Sequence, residues 1–232
     1  MTRRAFSIIE LVVVIGIIMI LIGLTVPTLA GTRSVSHNAV LASNMRQIGQ
    51  LTSMYCDARD GVFPVADERP DLWPAGMSIE EASEAGVGAS WPSAFISAGD
   101  ATQQEVDQLL YGTGEIFWSA TMYVHPSRLD PDNLLPWESL TTSAVYRHWA
   151  IYPSQKILLG PSYVAVDGEW QFWNQPPGQT GPKGPVWTAD GSVRQIRSAD
   201  LRRPDTAMLN NIWGMPIVWT WHGIRGIDIA TP

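Results

Sequence analysis

Apolar and polar positions divide this chain into three stretches with different periods. From Phe6 to Leu29 the residues are almost all apolar, and no Asp, Glu, Lys or Arg occurs between Leu11 and Thr32. Those 22 residues, rising about 1.5 Å each as a helix, are long enough to cross a hydrocarbon layer of about 30 Å. Beyond it Leu41, Met45, Ile48, Leu51 or Thr52, and Tyr55 recur at steps of three and four, with Asn44, Arg46, Gln47 and Gln50 largely off that face. The pattern predicts one long helix from about Phe6 to Cys56, its first half in a membrane and its second half laid against a globular domain. Pro27 and Gly31 are the positions at which it would kink or loosen, one lacking a backbone donor and the other a poor helix former.

The middle stretch, Val65 to about Leu140, is rich in loop residues. Ser78 and Glu81 form a capping-box pattern opening a short helix that ends at Gly86. Asp100 or Thr102 can cap a second helix through Gln103 to Leu110, closed by Gly112.

The last third reads as strands. Val145 to Tyr152 is an expected strand. Tyr163–Val166 and Glu169–Trp173, joined by Asp167-Gly168, carry a strong hairpin signal. Gln175 to Pro185 is dense in Pro and Gly and reads as a loop. A second hairpin joins Val186–Ala189 to Ser192–Ile196 through Asp190-Gly191, and Pro216–Arg225 echoes Pro185–Arg194, which suggests two similar strands in one sheet.

Two groups of residues carry a family resemblance. Arg3 and Arg4 precede the apolar run, Phe6 opens it, and Glu10, the fifth residue counted from Phe6, is the one carboxylate inside it. Further on, Asn44-Met-Arg-Gln-Ile-Gly49 is followed by Tyr55, Asp60-Gly61 and Phe63-Pro64. The first group resembles the amino terminus of type IV pilins and type II secretion pseudopilins; the second resembles the helix end and exit turn of pseudopilin-like proteins. The resemblance implies cleavage between Ala5 and Phe6 by a prepilin peptidase, methylation of Phe6, and assembly through Glu10. Ala5 departs from the Gly usual before the cut. It also implies an α+β, pilin-like fold, with the long helix packed on a carboxy-terminal antiparallel sheet and a loop-rich helical insertion between them.

The implied organisation is a leader over 1–5, a transmembrane and assembly helix over 6–31, and an exported domain over 32–232. Within that domain the helix continues over 32–57, a variable insertion covers 58–143 and a β-rich part covers 144–232. Implied partners are other pilin or pseudopilin subunits, the peptidase, an inner-membrane assembly platform and the membrane itself. The subunit would sit in the inner membrane with its amino terminus in the cytoplasm, and in a periplasmic or extracellular filament after assembly. A carboxylate among apolar residues costs about 2.5–3.5 kcal/mol on insertion scales, so Glu10 needs a partner. The new α-amine at Phe6 of a neighbouring subunit would supply one and fix axial register.

Charge and chemistry agree with a structural role. The net charge is −7, and loss of Arg3 and Arg4 leaves 13 basic against 22 acidic side chains, or −9. Such a domain is a poor partner for nucleic acid. Cys56 is the only cysteine, so no disulfide can form within the chain, and it reads as a small packed residue near a helix end. His37, His125, His148 and His222 are scattered without metal-ligand spacing, and no phosphate-binding loop or nucleophile motif occurs. No catalytic residue, cofactor or metal is therefore expected. Asp130-Pro-Asp-Asn133 could touch Ca²⁺ but reads better as a proline-bounded turn. Eleven tryptophans lie between Trp73 and Trp221. They suit either a packed core, with Trp170, Trp173, Trp187, Trp219 and Trp221 between helix and sheet, or the platform of a minor, tip-like subunit that binds a glycan or protein.

Overall fold

A computed structural model describes residues 8–64, 91–111, 116–118, 122, 126–129, 143–173, 180–201 and 222–229. It is an α+β structure in which an amino-terminal apolar helix leads into a carboxy-terminal antiparallel sheet. Helix α1, Ile8–Asp57, has 50 residues and passes Pro27 and Gly31 without a break. Its exit follows from two residues in the left-handed region, Asp60 (φ 51°) and Gly61 (φ 87°). They turn the chain so that Gly61 N–H closes back on Cys56 O at 2.8 Å, which satisfies one of the helix's last carbonyls.

Two short helices follow, α2 (Trp91–Ala98) and α3 (Gln103–Tyr111). The sequence pattern gave no sign of α2. Thr102 is the cap of α3: its Oγ1 accepts Glu105 N–H at 3.3 Å, while Glu105 Oε2 accepts Thr102 N–H at 2.8 Å. The expected helix over Ser78–Gly86 lies outside the described residues, as does Gly112.

The main sheet has the order β1-β2-β5-β6, all antiparallel, from β1 (Ile116–Trp118), β2 (Ile157–Pro161), β5 (Lys183–Thr188) and β6 (Val193–Arg197). A separate hairpin pairs β3 (Tyr163–Val166) with β4 (Glu169–Phe172). Asp167 and Gly168 form its turn, at φ 49° and 90°, the two positive values that a two-residue turn of this hand requires. The turn between β5 and β6 is longer than the two residues Asp190-Gly191. Thr188 N–H meets Ser192 O at 3.0 Å around Ala189, Asp190 and Gly191, with Gly191 at φ 86°.

Three strand expectations need correction. Val145–Tyr152 is not a strand: Tyr146 makes one bridge to Val62, then the chain winds into short 3-10 turns at Arg147–Trp149 and Pro153–Gln155. The helix exit captures this segment, because Arg147 N–H donates to Gly61 O at 2.8 Å and its guanidinium pairs with Asp57. The strand comes later, as β2. Lys183, Gly184 and Pro185 belong to β5 and not to a loop. Pro185 pairs with Gln195 of β6, whereas the register with β2 covers Trp187 and Thr188, so no β2 bond is lost to the missing N–H. Finally, Gly223–Arg225, the end of the expected last strand, is a 3-10 turn; 216–221 lies outside the described residues.

The core lies where α1 meets the strands. Leu41, Met45, Ile48 and Tyr55 are buried along one helix face with Val164, Trp173, Val186, Trp187 and Ile196 from the strands. Thr52, not Leu51, completes the face: it is fully buried, its hydroxyl donating to Ile48 O at 2.8 Å, and Leu51 is half-buried. Asn44, expected off the face, is also buried, its side-chain amide donating to Leu109 O of α3 at 3.2 Å.

Candidate functional site

The residues singled out by sequence lie along α1, and its two halves have opposite surroundings. Ile8–Thr25 is long and apolar enough to cross a membrane, and none of it is buried against the rest of the protein. Its large side chains, including Leu11, Ile15, Ile18 and Leu24, point outward on all sides. The hydroxyl of Thr25 donates to Ile22 O at 3.2 Å, so this polar group is satisfied within the helix. Glu10 stands in the first described turns of α1, exposed among these apolar side chains. Ala5 and Phe6 lie outside the described residues.

Arg33 is the first charged residue beyond the apolar stretch, and at Ser34 burial begins. There the β3–β4 hairpin is tied down: Gly168 N–H donates to Ser34 Oγ at 2.7 Å. One turn on, Asn38 donates through Nδ2 to Ala165 O at 2.8 Å and accepts Ala165 N–H through Oδ1 at 3.0 Å. The hairpin turn thus points toward the apolar half of α1, about 14 Å of helix rise beyond Thr25. Sequence reading missed Ser34 and Asn38, whose short polar side chains on a helix give no sign of distant partners.

Two Trp–Gly contacts pack the core, one against the helix and one within the strands. Gly49 lies under Trp187, so close that a Cβ there would be 2.4 Å from the indole, and Gly184 lies under Trp173 in the same way, at 2.5 Å. Trp173 also donates through Nε1 to Ile196 O at 3.0 Å. These two tryptophans are core residues. Trp170 differs: it is 49% exposed and lies against His37, ring centres 5.5 Å apart. Trp219 and Trp221 lie outside the described residues.

An open groove of about 430 Å³ runs between α1 and α3, lined by Asn44, Gln47, Leu51, Met54, Asp100 and Leu109 among others. Its polar side chains are mostly amides. Among the described residues no three His, Cys, Asp or Glu side chains come together as a metal site. His125 and Asp130–Asn133 lie outside them. Cys56 is buried, and burial pushes its thiol up to about 12, against the pull of Arg147, which keeps it a packing residue and not a thiolate nucleophile.

No family model, no curated protein and no solved structure matches this chain.

Proposed function

We infer that the chain is a pilin-like subunit of a type IV pilus-like or secretion-pseudopilus filament. In this reading a prepilin peptidase cuts between Ala5 and Phe6, Phe6 is methylated, and the apolar half of α1 first anchors the subunit and then enters a helical filament core. The single observation that supports it best is the continuity of α1. A plain membrane anchor needs only an apolar helix, and a flexible connection to its domain would serve. Here the exposed stretch Ile8–Thr25 continues, without a break, into a helix whose second half is part of the domain core. In this reading the continuous helix carries anchor and domain together, which suits a part that must leave the bilayer and stack in fixed register. Glu10 supplies the register, pairing with the amine at Phe6 of a neighbour in an apolar layer where an unpaired charge is costly. The acidic domain faces outward on the exported side, with the two leader arginines inside.

The test has two parts. Mass spectrometry of the mature chain should find methylated Phe6 at its start; any other amino terminus removes the processing claim. Glu10→Ala should leave membrane insertion intact and sharply reduce recovery of the subunit in sheared filaments. Normal recovery would leave Glu10 without an assembly role.

A further inference from the structure

Lys156 and Asp228 are both buried, with side-chain exposures of 0% and 3%, and Lys156 Nζ lies 3.2 Å from Asp228 Oδ1. Their backbones are clamped together. Gln155 O accepts the N–H groups of Asp228 at 3.0 Å and Ile229 at 3.2 Å, and Lys156 O accepts Ala189 N–H at 2.9 Å. Asp228 Oδ2 is fixed in turn by Ile157 N–H at 2.7 Å. Ile157, Ile224 and Ile229 belong to the same buried core. The two side chains are therefore held facing each other away from water.

An ordinary ion pair is poorly served in this position. An ammonium has three donors, and among the described residues Asp228 is the acceptor it meets. A charge taken fully out of water is expensive, and burial is the largest influence on Lys156, pushing its pKa down against the opposing pull of Asp228. Transfer of one proton from the ammonium to the carboxylate removes both charges. It leaves a neutral amine, which is a nucleophile, at hydrogen-bond distance from a carboxylic acid. Reacting groups held at about 3–3.5 Å without water have most of the entropy of encounter already removed. Ile157 N–H is placed to stabilise negative charge that develops on Oδ2.

We propose that Lys156 and Asp228 condense into an isopeptide bond that joins the residue just before β2 covalently to the 222–229 segment. The Nζ lone pair attacks Asp228 Cγ and forms the C–N bond. The C–O bond to the acid hydroxyl then breaks, its electron pair leaving with the oxygen. One amine proton stays on the amide nitrogen, and the other departs with the hydroxyl as water. The step is a condensation and needs no oxidant, reductant or cofactor. Its product replaces two buried charges by one amide and closes the chain between positions 72 apart in sequence, in a protein whose single cysteine cannot do so. The inference is independent of the filament reading.

Intact mass and peptide mapping of the full-length chain, purified in detergent, test it. The expected mass is one water below that calculated for the termini found, with a branched peptide linking Lys156 to Asp228. Lys156→Arg and Asp228→Ala should each have full mass. Asp228→Asn should lose ammonia instead and reach the mass of the cross-linked parent. The Asp-Gly pairs at 60–61, 167–168 and 190–191 can also lose water, by succinimide closure, but that loss would persist in Lys156→Arg and yield to hydroxylamine. A parent chain at full mass, or a water loss that survives Lys156→Arg, overturns the proposal. Should the variants fail to accumulate, the parent mass and the presence or absence of the branched peptide decide alone.

Discussion

The side chain of Asn38 takes the place of a neighbouring strand beside Ala165. It donates to Ala165 O at 2.8 Å and accepts Ala165 N–H at 3.0 Å, across 127 positions of sequence. Ala165 is buried, so both backbone groups depend on this one amide. Asn38→Ala should cost about 1–3 kcal/mol, because it leaves a buried donor and acceptor without partners. Asn38→Asp keeps the acceptor but turns an oxygen toward Ala165 O, and should cost at least as much. Denaturant unfolding of the full chain in detergent measures both. A loss for Asn38→Ala under about 0.5 kcal/mol would mean that water takes over the two bonds.

Gly49 owes its place to Trp187. A methyl at residue 49 would lie 2.4 Å from a ring that is itself buried, whereas nothing lies within 4 Å of a Cβ placed at Gly16 or Gly31. Gly49→Ala should therefore destabilise the domain by about 1–3 kcal/mol through overpacking, despite the higher helix propensity of Ala. Gly31→Ala should leave the midpoint unchanged or raise it slightly. The same loss at both sites would show helix conformation, not the ring contact, to be the cause.

How much of this was legible in sequence depends on how local each signal is. Helix α1 shows because its apolar pattern persists over five tens of residues, and the β3–β4 hairpin shows because Asp167-Gly168 supplies both positive φ values in place. Strand β2 was missed because all five of its residues are buried, so its apolar run does not alternate. Val145–Tyr152 has strand-like residues, yet contacts with Gly61 and Asp57, more than eighty positions away, wind it into a turn. Lys156 reads as a surface charge until the fold brings in Asp228. Glu10 is the reverse case: its place in the motif is visible in sequence, and the role proposed for it can be seen only in an assembly of several copies.

The helix face offers a controlled comparison between adjacent residues. Ile48 is fully buried among strand side chains, and Gln47 beside it is exposed, with a long hydrogen bond of 3.4 Å to Ser43. Ile48→Ala should cost about 2–5 kcal/mol, a large share of the 5–15 kcal/mol typical of a domain. Gln47→Ala should change stability by under about 0.5 kcal/mol. Equal small effects would mean that this half of α1 does not pack on the sheet.

Asp190 gives the β5–β6 turn a dependence on acid. Burial works to raise its pKa, but hydrogen bonds from Thr188 and Ser192 and the nearby charge of Arg194 outweigh it, so the carboxyl is held below its ordinary value. Thr188 Oγ1 donates to Oδ1 at 2.6 Å, Ser192 Oγ at 2.7 Å and Ser192 N–H at 3.0 Å, while Arg194 Nη2 lies 3.3 Å from Oδ2. With the folded value below the unfolded one, which is about 3.9, the folded state binds fewer protons in the acid range. The stabilisation is thus fully present above about pH 4 and disappears as the pH falls through the folded value. Asp190→Asn should lower stability at pH 7 by about 1 kcal/mol, a modest figure because the turn is at the surface. Toward pH 3 the gap between parent and variant should close, as protonation removes from the parent the charge that the variant lacks. Thermal unfolding of both chains at the two pH values reads this directly, and a gap that stays constant would mean that the turn is held by its shape and not by the ionised carboxylate.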